Sequence, residues 1–572
     1  MSLTRTLLRP AAYLAGRHAA RQARAFLAAH QRTAETQHHV LMGLVRAHAE
    51  TAFGRDHGFA AIRSYEDFAR AVPVGSHETL RPYLDRVQAG EATALLPPGQ
   101  RVLMFCRTSG TTGQPKHIPV GPTFLAEMRR GWNIFGSRTL RDHPAAWLRP
   151  ILTISSSMNE ARSPTGVPCG AISGLLAATQ KRIVRRMYVA PREAAEVHDP
   201  AAKYYTILRC GVGRDVGMIT TANPSSTIRL VETGQEHAER LVRDVRDGTL
   251  SPPGDVPADL LRRVRFRANP ALARRLEEGI GRDGELRPGH FWNVEILCNW
   301  TGGTLKLYLR RLRELFGDVP VRDIGLLASE GRFSIPLEDG TPAGVAEITG
   351  NFLEFLPVEN GPAEKGQKRF QEPFFGPARE TEVGEVAKRF QEPFLPRAHE
   401  LEVGAEYFLV LSNWAGLWRY GIDDRVRVVD FLGQSPVFEF LSRGRHTASI
   451  TGEKITEHQV VEALRRAAAD LGARIDRFTL QGRFAATPHY ELRLEPADGI
   501  DPAALADRLD GELAALNLEY ESKRASGRLG PIRPVLVGPG TFEREEGDKV
   551  RRRHGRGEQY KHQYLLTDVL EA

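Results

Sequence analysis

Short apolar runs keep alternating with stretches of helical spacing along this chain, and that alternation restricts the fold more than any other feature. Val102–Phe105, Ile151–Ile154 and Val294–Leu297 read as buried strands. Residues 234–246 and 305–316 (LKLYLRRLRELF) read as helices. Strands and helices in this order predict α/β layers, with helices covering sheet faces. Ahead of them, residues 11–53 read as two helices, on the spacing of Leu14, Phe26, Leu27, Leu41, Leu44 and Val45, with Gly54 ending the run. At 572 residues there is chain for several domain-sized units.

The texture changes near 441–446, where Arg443-Gly444-Arg445 interrupts the pattern. Thr456 and Gln459 have capping-box spacing for a helix to about Leu471. Strands are predicted at 475–480 and 490–494, and Asp501-Pro502 opens a helix to about Leu516. A last strand is predicted at 533–537. The expectation is a large α/β domain over 1–440 and a small α+β domain over 441–572. Within the first, residues 361–405 hold a tandem repeat of period 20: KRFQEPF at 368–374 and 388–394, ETEVG at 380–384 and ELEVG at 400–404. Two copies are too few for a solenoid, so this reads as a duplicated surface loop.

Composition excludes several classes. The 78 basic and 70 acidic residues give a net charge of +8, but they are mixed along the chain rather than gathered in a stripe, so no nucleic-acid partner is expected. Cys106, Cys169, Cys210 and Cys298 form no C-x-x-C pair, which argues against structural zinc and a disulfide framework and for reduced thiols in a cytoplasm. No apolar run reaches 18 residues, so no membrane span is expected. Pro10, Arg17 and His18 bound or interrupt the N-terminal apolar patch, making it a poor signal peptide.

The chemistry concentrates in residues 106–120, CRTSGTTGQPKHIPV. Thr108, Ser109, Gly110, Thr111, Thr112 and Gly113, with Lys116 close behind, follow a buried strand, where α/β folds bind ligands. Glycines let backbone N–H groups turn toward an anion, and the hydroxyls and the lysine add donors. This is phosphate chemistry without the Walker A spacing.

The segment resembles the phosphate loop of the adenylate-forming superfamily. Thr51–Phe59 (TAFGRDHGF), Tyr65–Phe68 through Val72–Val74, and residues 417–424 (LWRYGIDD) are similar to one branch, the Gretchen-Hagen-type acyl acid–amido synthetases, along about residues 35–568. The resemblance implies a large N-terminal α/β domain with layered sheets, a small mobile C-terminal domain with a hinge near 441–446, and ATP and Mg²⁺ as cofactors. In Leu326-Leu327-Ala328-Ser329-Glu330, Ser329 would lie near the α-phosphate and Glu330 would hold Mg²⁺; Leu326 stands where the family commonly has a tyrosine over adenine. In Tyr420-Gly421-Ile422-Asp423-Asp424, Asp424 falls on the ribose-binding position, with Gly421 replacing Arg and Asp423 replacing Gly, so Asp423 competes for that role. Arg443 would lie near ribose. Lys561, in Gln559-Tyr560-Lys561, would stabilise charge during adenylation. Ser155 and Tyr188 fall in the region implied for the acyl acid; serines there could hold a carboxylate or cap strands.

The implied reaction joins a carboxylic acid, through an acyl-adenylate, to an amine such as an amino acid, in a monomer. A thioester-forming coenzyme A ligase and a non-catalytic nucleotide-binding protein remain as other readings. One compositional detail bears on the site. Among 78 basic residues only 11 are lysines, yet Lys116 and Lys561 both fall in motifs. A compact ammonium is suited there where a planar guanidinium is not.

Overall fold

The computed structural model describes residues 3–108, 116–358, 394–443, 447–448, 450, 453, 455–485, 487–496, 500–525, 529–552 and 562–571. The chain divides into two units, one made of Met1–Thr301 and Arg313–Phe440, the other of Gly302–Leu312 and Leu441–Ala572. The second unit therefore takes in a short strip from the middle of the chain as well as its end.

Three main sheets build the first unit. A parallel sheet runs in the order Ile151–Thr153, Met218–Thr220, Ile296–Cys298, Val321–Arg322. A mixed sheet runs Lys116–Val120, Met104–Thr108, Pro168–Gly170, Ala161–Arg162. A six-stranded sheet has Ser435–Arg443 and Tyr420–Leu432 at its centre, with Glu406–Ser412 beside the latter. The α/β expectation is met, and each of the three apolar runs contributes to a strand. The helix expected over 234–246 is two, Pro224–Glu236 and Ala238–Asp247, with His237 between them. In 305–316 the α-helix begins only at Tyr308; Gly303–Leu307 is a tighter 3₁₀ turn.

The N-terminal segment forms helices Leu3–Ala29 and Thr33–Ala47, then a short helix Ala52–Asp56. Gly54 does not end a helix. It sits buried inside the short one, where a Cβ would fall 2.1 Å from the His48 carbonyl oxygen. Close approach of backbone, rather than helix breaking, demands glycine there. Leu14, expected in the apolar stripe, is 66% exposed. Phe26, Leu41, Leu44 and Val45 are buried.

Part of the repeated segment differs from a surface loop. Leu395, Ala398 and Leu401 are buried, and the Phe355 N–H donates to the Pro396 carbonyl at 2.9 Å. Apolar side chains spaced between polar ones let this stretch close over the six-stranded sheet. The repeat copies over 361–393 lie outside the described residues.

Two buried histidines make this unit acid-sensitive. The His48 Nδ1–H donates to the Leu44 carbonyl at 2.7 Å, which leaves Nε2 unpartnered against Trp418, 5.0 Å away between ring centroids. Burial lowers both His30 and His48 to about 4 from the ordinary 6.5. A lowered folded-state pKa leaves stability intact above about 6.5 and removes it as pH falls toward 4. At pH 5 each histidine costs about 2 kcal/mol. The loss of unfolding free energy between pH 7.5 and pH 5 is expected to shrink by about that amount in His48→Gln; an unchanged loss would remove His48 from the account.

In the second unit, strands Arg533–Leu536, His489–Leu494, Phe478–Phe484 and Leu565–Glu571 form one sheet in that order. Helices Glu457–Asp470 and Pro502–Leu516 cover it, opened respectively by the Thr456–Gln459 capping box and by the Asp501 side chain. The strand at 533–536 is not the last. Leu565–Glu571 follows and pairs parallel to Phe478–Phe484. Its outer residues Val569 and Leu570 are exposed, so the alternation that marks a half-buried strand is absent.

Candidate active site

The phosphate-loop motif is carried by a β-hairpin. Met104–Thr108 pairs antiparallel with Lys116–Val120, with Thr108 and Lys116 as cross-strand partners. Ser109, Gly110, Thr111, Thr112 and Gly113 lie outside the described residues, as does the side chain of Thr108. The arms are anchored by Met104, Phe105, Cys106, Ile118 and Val120, all fully buried.

Lys116 reaches the third motif. Its Nζ lies 6.0 Å from the centre of the Tyr420 ring, within range of a cation–π attraction. Tyr420 is also tied to the Val72–Val74 neighbourhood: the Gly75 N–H donates to the Arg419 carbonyl at 3.0 Å, and the Gly421 N–H donates to the Gly75 carbonyl at 2.9 Å. Burial, reinforced by the Lys116 charge, lowers the pKa of nearby His77. Two segments singled out separately in the sequence therefore meet on one strand.

Arg419 locks that junction. It is 1% exposed and takes a left-handed backbone (φ 41°). Its guanidinium holds the buried Glu354 carboxylate at 2.8–3.1 Å and donates to the Ala69 and Val72 carbonyls at 3.1 and 2.9 Å. The Tyr65 hydroxyl donates to the same carboxylate at 2.9 Å. The N-terminal signature packs alongside: Phe53 stacks on Trp418 at 6.0 Å and Phe59 meets it edge-on at 4.7 Å. These segments position the site and present no reacting group of their own.

Ser329 and Glu330 form the turn of a small hairpin between Leu327–Ala328 and Gly331–Arg332. Glu330 is buried, and its backbone carbonyl accepts a 2.6 Å hydrogen bond from the Asn413 side chain. Asn413 also caps the turn that leads to Trp418, through its Oδ1 to the Ala415 N–H at 2.9 Å. One amide thus links the second motif to the third. Leu326 packs against the main core. Behind the hairpin, burial raises Glu127 to about 7, with Arg130 pulling it down.

The Asp pair sits on a bulge. Phe408 opposes Arg425 and Val410 opposes Gly421, so Ile422, Asp423 and Asp424 share one opposing residue. Asp423 has φ 57°, a left-handed conformation that aspartate tolerates better than most residues. This is how Asp423 stands where glycine is usual. Asp424 is 1% exposed, and Asp423 is the more accessible of the two.

Ser155 follows Ile151–Thr153 at the C-terminal end of a parallel strand and is half-buried. Tyr188 lies at the opposite end, bridged to Ile151, in the wall of a separate cleft that none of the three nucleotide motifs lines. The structure does not bring it to the motifs. Arg443 ends the strand Ser435–Arg443, and its side chain lies outside what is described; Lys561 lies outside the described residues altogether. Sequence reasoning missed Asn413, Glu354 and Gly75. Arg419 was visible within LWRYGIDD, but its partner Glu354 is 65 residues away.

The chain matches the GH3 family N-terminal domain over residues 22–321, the GH3 family central domain over 345–443 and the GH3 family C-terminal domain over 458–569. The chain belongs to the GH3 family. It is a ligase of the acyl acid–amido synthetase type. Among GH3 relatives, a probable indole-3-acetic acid-amido synthetase GH3.1 of Oryza sativa subsp. japonica is 26% identical, over 89% of this chain and 84% of that protein. The jasmonoyl–L-amino acid synthetase GH3.5 of the same plant is 23% identical, over 89% and 88%. The solved AtGH3.15 acyl acid amido synthetase, in complex with 2,4-DB, has a TM-score of 0.78 at 19% identity, covering 96% of this chain and 94% of that one. That likeness establishes the GH3 fold. Among the described residues no helix is long and apolar enough to cross a membrane.

Proposed function

We propose that this GH3 chain uses ATP to activate a carboxylic acid as an acyl-adenylate and then joins it to an amino acid. In the first step a carboxylate oxygen attacks the α-phosphate and pyrophosphate leaves. In the second the α-amine attacks the activated carbonyl, loses a proton, and AMP leaves. The plant relatives' names give indole-3-acetic acid and jasmonic acid, so a ring-bearing carboxylic acid is the acyl class favoured here.

The observation that carries this reading is the junction of Lys116, Gly75 and Tyr420, with Glu330 tethered to the same turn through Asn413. The junction brings together a lysine suited to phosphate and carboxylates suited to Mg²⁺ and to ribose hydroxyls, the set of groups that MgATP requires. Within it the 109–115 loop and Lys116 are assigned to the phosphates, and Ser329 to the α-phosphate. Lys561 is assigned to the charge that develops during attack. The small unit, with Arg443 at its start, is assigned the rearrangement between the two steps.

Glu330 suits Mg²⁺. It offers one hard oxygen ligand on a hairpin turn held by Asn413, and Mg²⁺ typically takes one or two carboxylates and fills its shell with phosphate oxygens and water. The ion would neutralise phosphate charge. Ser155, at the ligand-binding end of the parallel sheet, is assigned to the acyl acid.

The ribose assignment separates two carboxylates. Asp424→Asn is expected to weaken ATP binding about tenfold, a cost of about 1.4 kcal/mol, and Asp423→Asn by less than threefold. The reverse order in calorimetric titration would transfer the role to Asp423. The reaction itself is tested by pyrophosphate release across a panel of acids and amines, with mass spectrometry of the product. Acid-dependent release with an amide product is expected. A thioester formed with coenzyme A, or no release with any acid, would overturn the proposal.

A further inference from the structure

The cleft that Tyr188 helps to line is open to solvent and measures about 1130 Å³, in the first unit and at the N-terminal end of the parallel strands. No residue of the three nucleotide motifs lines it. Its wall has an unusual composition even in this arginine-rich chain: seven of 21 lining residues are arginines, against 67 of 572 overall, and only one is acidic. That one, Glu193, is already held by Arg192 at 2.9 Å and Arg263 at 2.7 Å.

The deeper arginines donate to backbone carbonyls, and the buried Asp244 carboxylate offsets part of the charge of Arg209 but not that of Arg214. Arg214 donates to the Tyr188 and Arg186 carbonyls at 3.0 and 3.2 Å. Arg209 donates to the Thr249 and Asp244 carbonyls at 3.0 and 2.8 Å and lies 3.9 Å over the Phe266 ring. Burial lowers the pKa of both guanidiniums. Arg265 and Arg267 flank Phe266 and are exposed at the rim. Taking the Arg214 charge out of water with no carboxylate beside it among the described residues is unfavourable, and a bound oxyanion relieves it. Guanidinium forks match carboxylate and phosphate oxygens in pairs. The volume slightly exceeds the usual range of about 300–1,000 Å³ for small-molecule sites, and it is well beyond a single inorganic ion.

We infer that this cleft is a second ligand site, separate from the nucleotide motifs, for a small organic molecule carrying two or more oxyanion groups. Phosphate and carboxylate bearers share that chemistry, so both are tested. Calorimetric titrations would use ADP, pyrophosphate and citrate against the wild-type chain, an Arg265→Glu/Arg267→Glu double variant and Lys116→Ala. The double variant changes only exposed rim residues, and an unaltered melting temperature would show that it is folded.

At least one probe is expected to bind Lys116→Ala within twofold of its wild-type affinity at this site, and at least tenfold more weakly in the double variant. Preference for ADP and pyrophosphate would identify a phosphate ligand, and preference for citrate a carboxylate one; either supports the site. Failure of all three probes to bind Lys116→Ala, or equal binding to the double variant and the wild type, would overturn it. The result is independent of acyl transfer, since it is read from binding alone.

Discussion

Replacing Lys561 by alanine is expected to lower acid-dependent ATP–pyrophosphate exchange by about 10²–10³-fold while ATP still binds. As the carboxylate oxygen closes on the α-phosphate, negative charge is redistributed around phosphorus and toward the departing pyrophosphate. A positioned ammonium acts most strongly there, because its attraction grows along the reaction coordinate rather than being spent on the ground state. Under the proposed assignments nucleotide affinity rests on other groups, namely Lys116 with the segment before it and the Asp pair. The split between lost exchange and retained binding therefore separates a group acting on the transition state from one that merely holds ATP. Lys561→Arg is informative for a chain with only 11 lysines among 78 basic residues. Retention of charge with loss of most activity is expected, since a guanidinium is planar and larger. Exchange at the wild-type rate in Lys561→Ala would end the assignment.

The largest structural effect is expected at Glu354. Glu354→Leu leaves the Arg419 guanidinium in the core without the carboxylate that accepts three of its hydrogen bonds, and strips the Tyr65 hydroxyl of an acceptor. Removing one member of a buried ion pair costs about 3–5 kcal/mol. Glu354→Gln keeps an oxygen acceptor and should cost roughly half as much. Because Arg419 also fixes the carbonyls of Ala69 and Val72 and precedes Tyr420, ATP affinity should fall along with stability. Thermal melting and nucleotide titration read the two effects. A Glu354→Leu protein within about 1 kcal/mol of the wild type would mean that the pair is not what holds the junction.

Local signals were legible in the sequence. The Thr456–Gln459 capping box, the Asp501 cap and the apolar runs at Met104 and Ile151 each depend on residues a few positions apart. The 106–120 segment stood out by residue types that suit phosphate, whereas Ser329, Glu330, Asp424 and Lys561 were singled out only through their resemblance to family motifs. The framework that gathers the motifs was not legible. Glu354 pairs with Arg419, Asn413 holds Glu330 and Gly75 bridges to Tyr420 across separations that no periodicity records. Gly54 misled for a related reason: glycine looks the same whether it ends a helix or admits another carbonyl to close range. Leu565–Glu571 escaped because an edge strand with an exposed outer face lacks alternation.

The strip Gly302–Leu312 has a practical bearing on anyone who would dissect this protein. A construction plan drawn from the linear sequence would cut once, after Phe440, and treat everything beyond it as a detachable module. The 1–440 fragment left behind keeps Leu305 and Leu312, both buried in the intact chain, and loses the unit to which they belong. It would carry an orphaned apolar ribbon in its middle, between two neighbouring parallel strands. Swapping the small unit between relatives would likewise need two pieces exchanged together, the ribbon and the tail, if that unit is to stay whole.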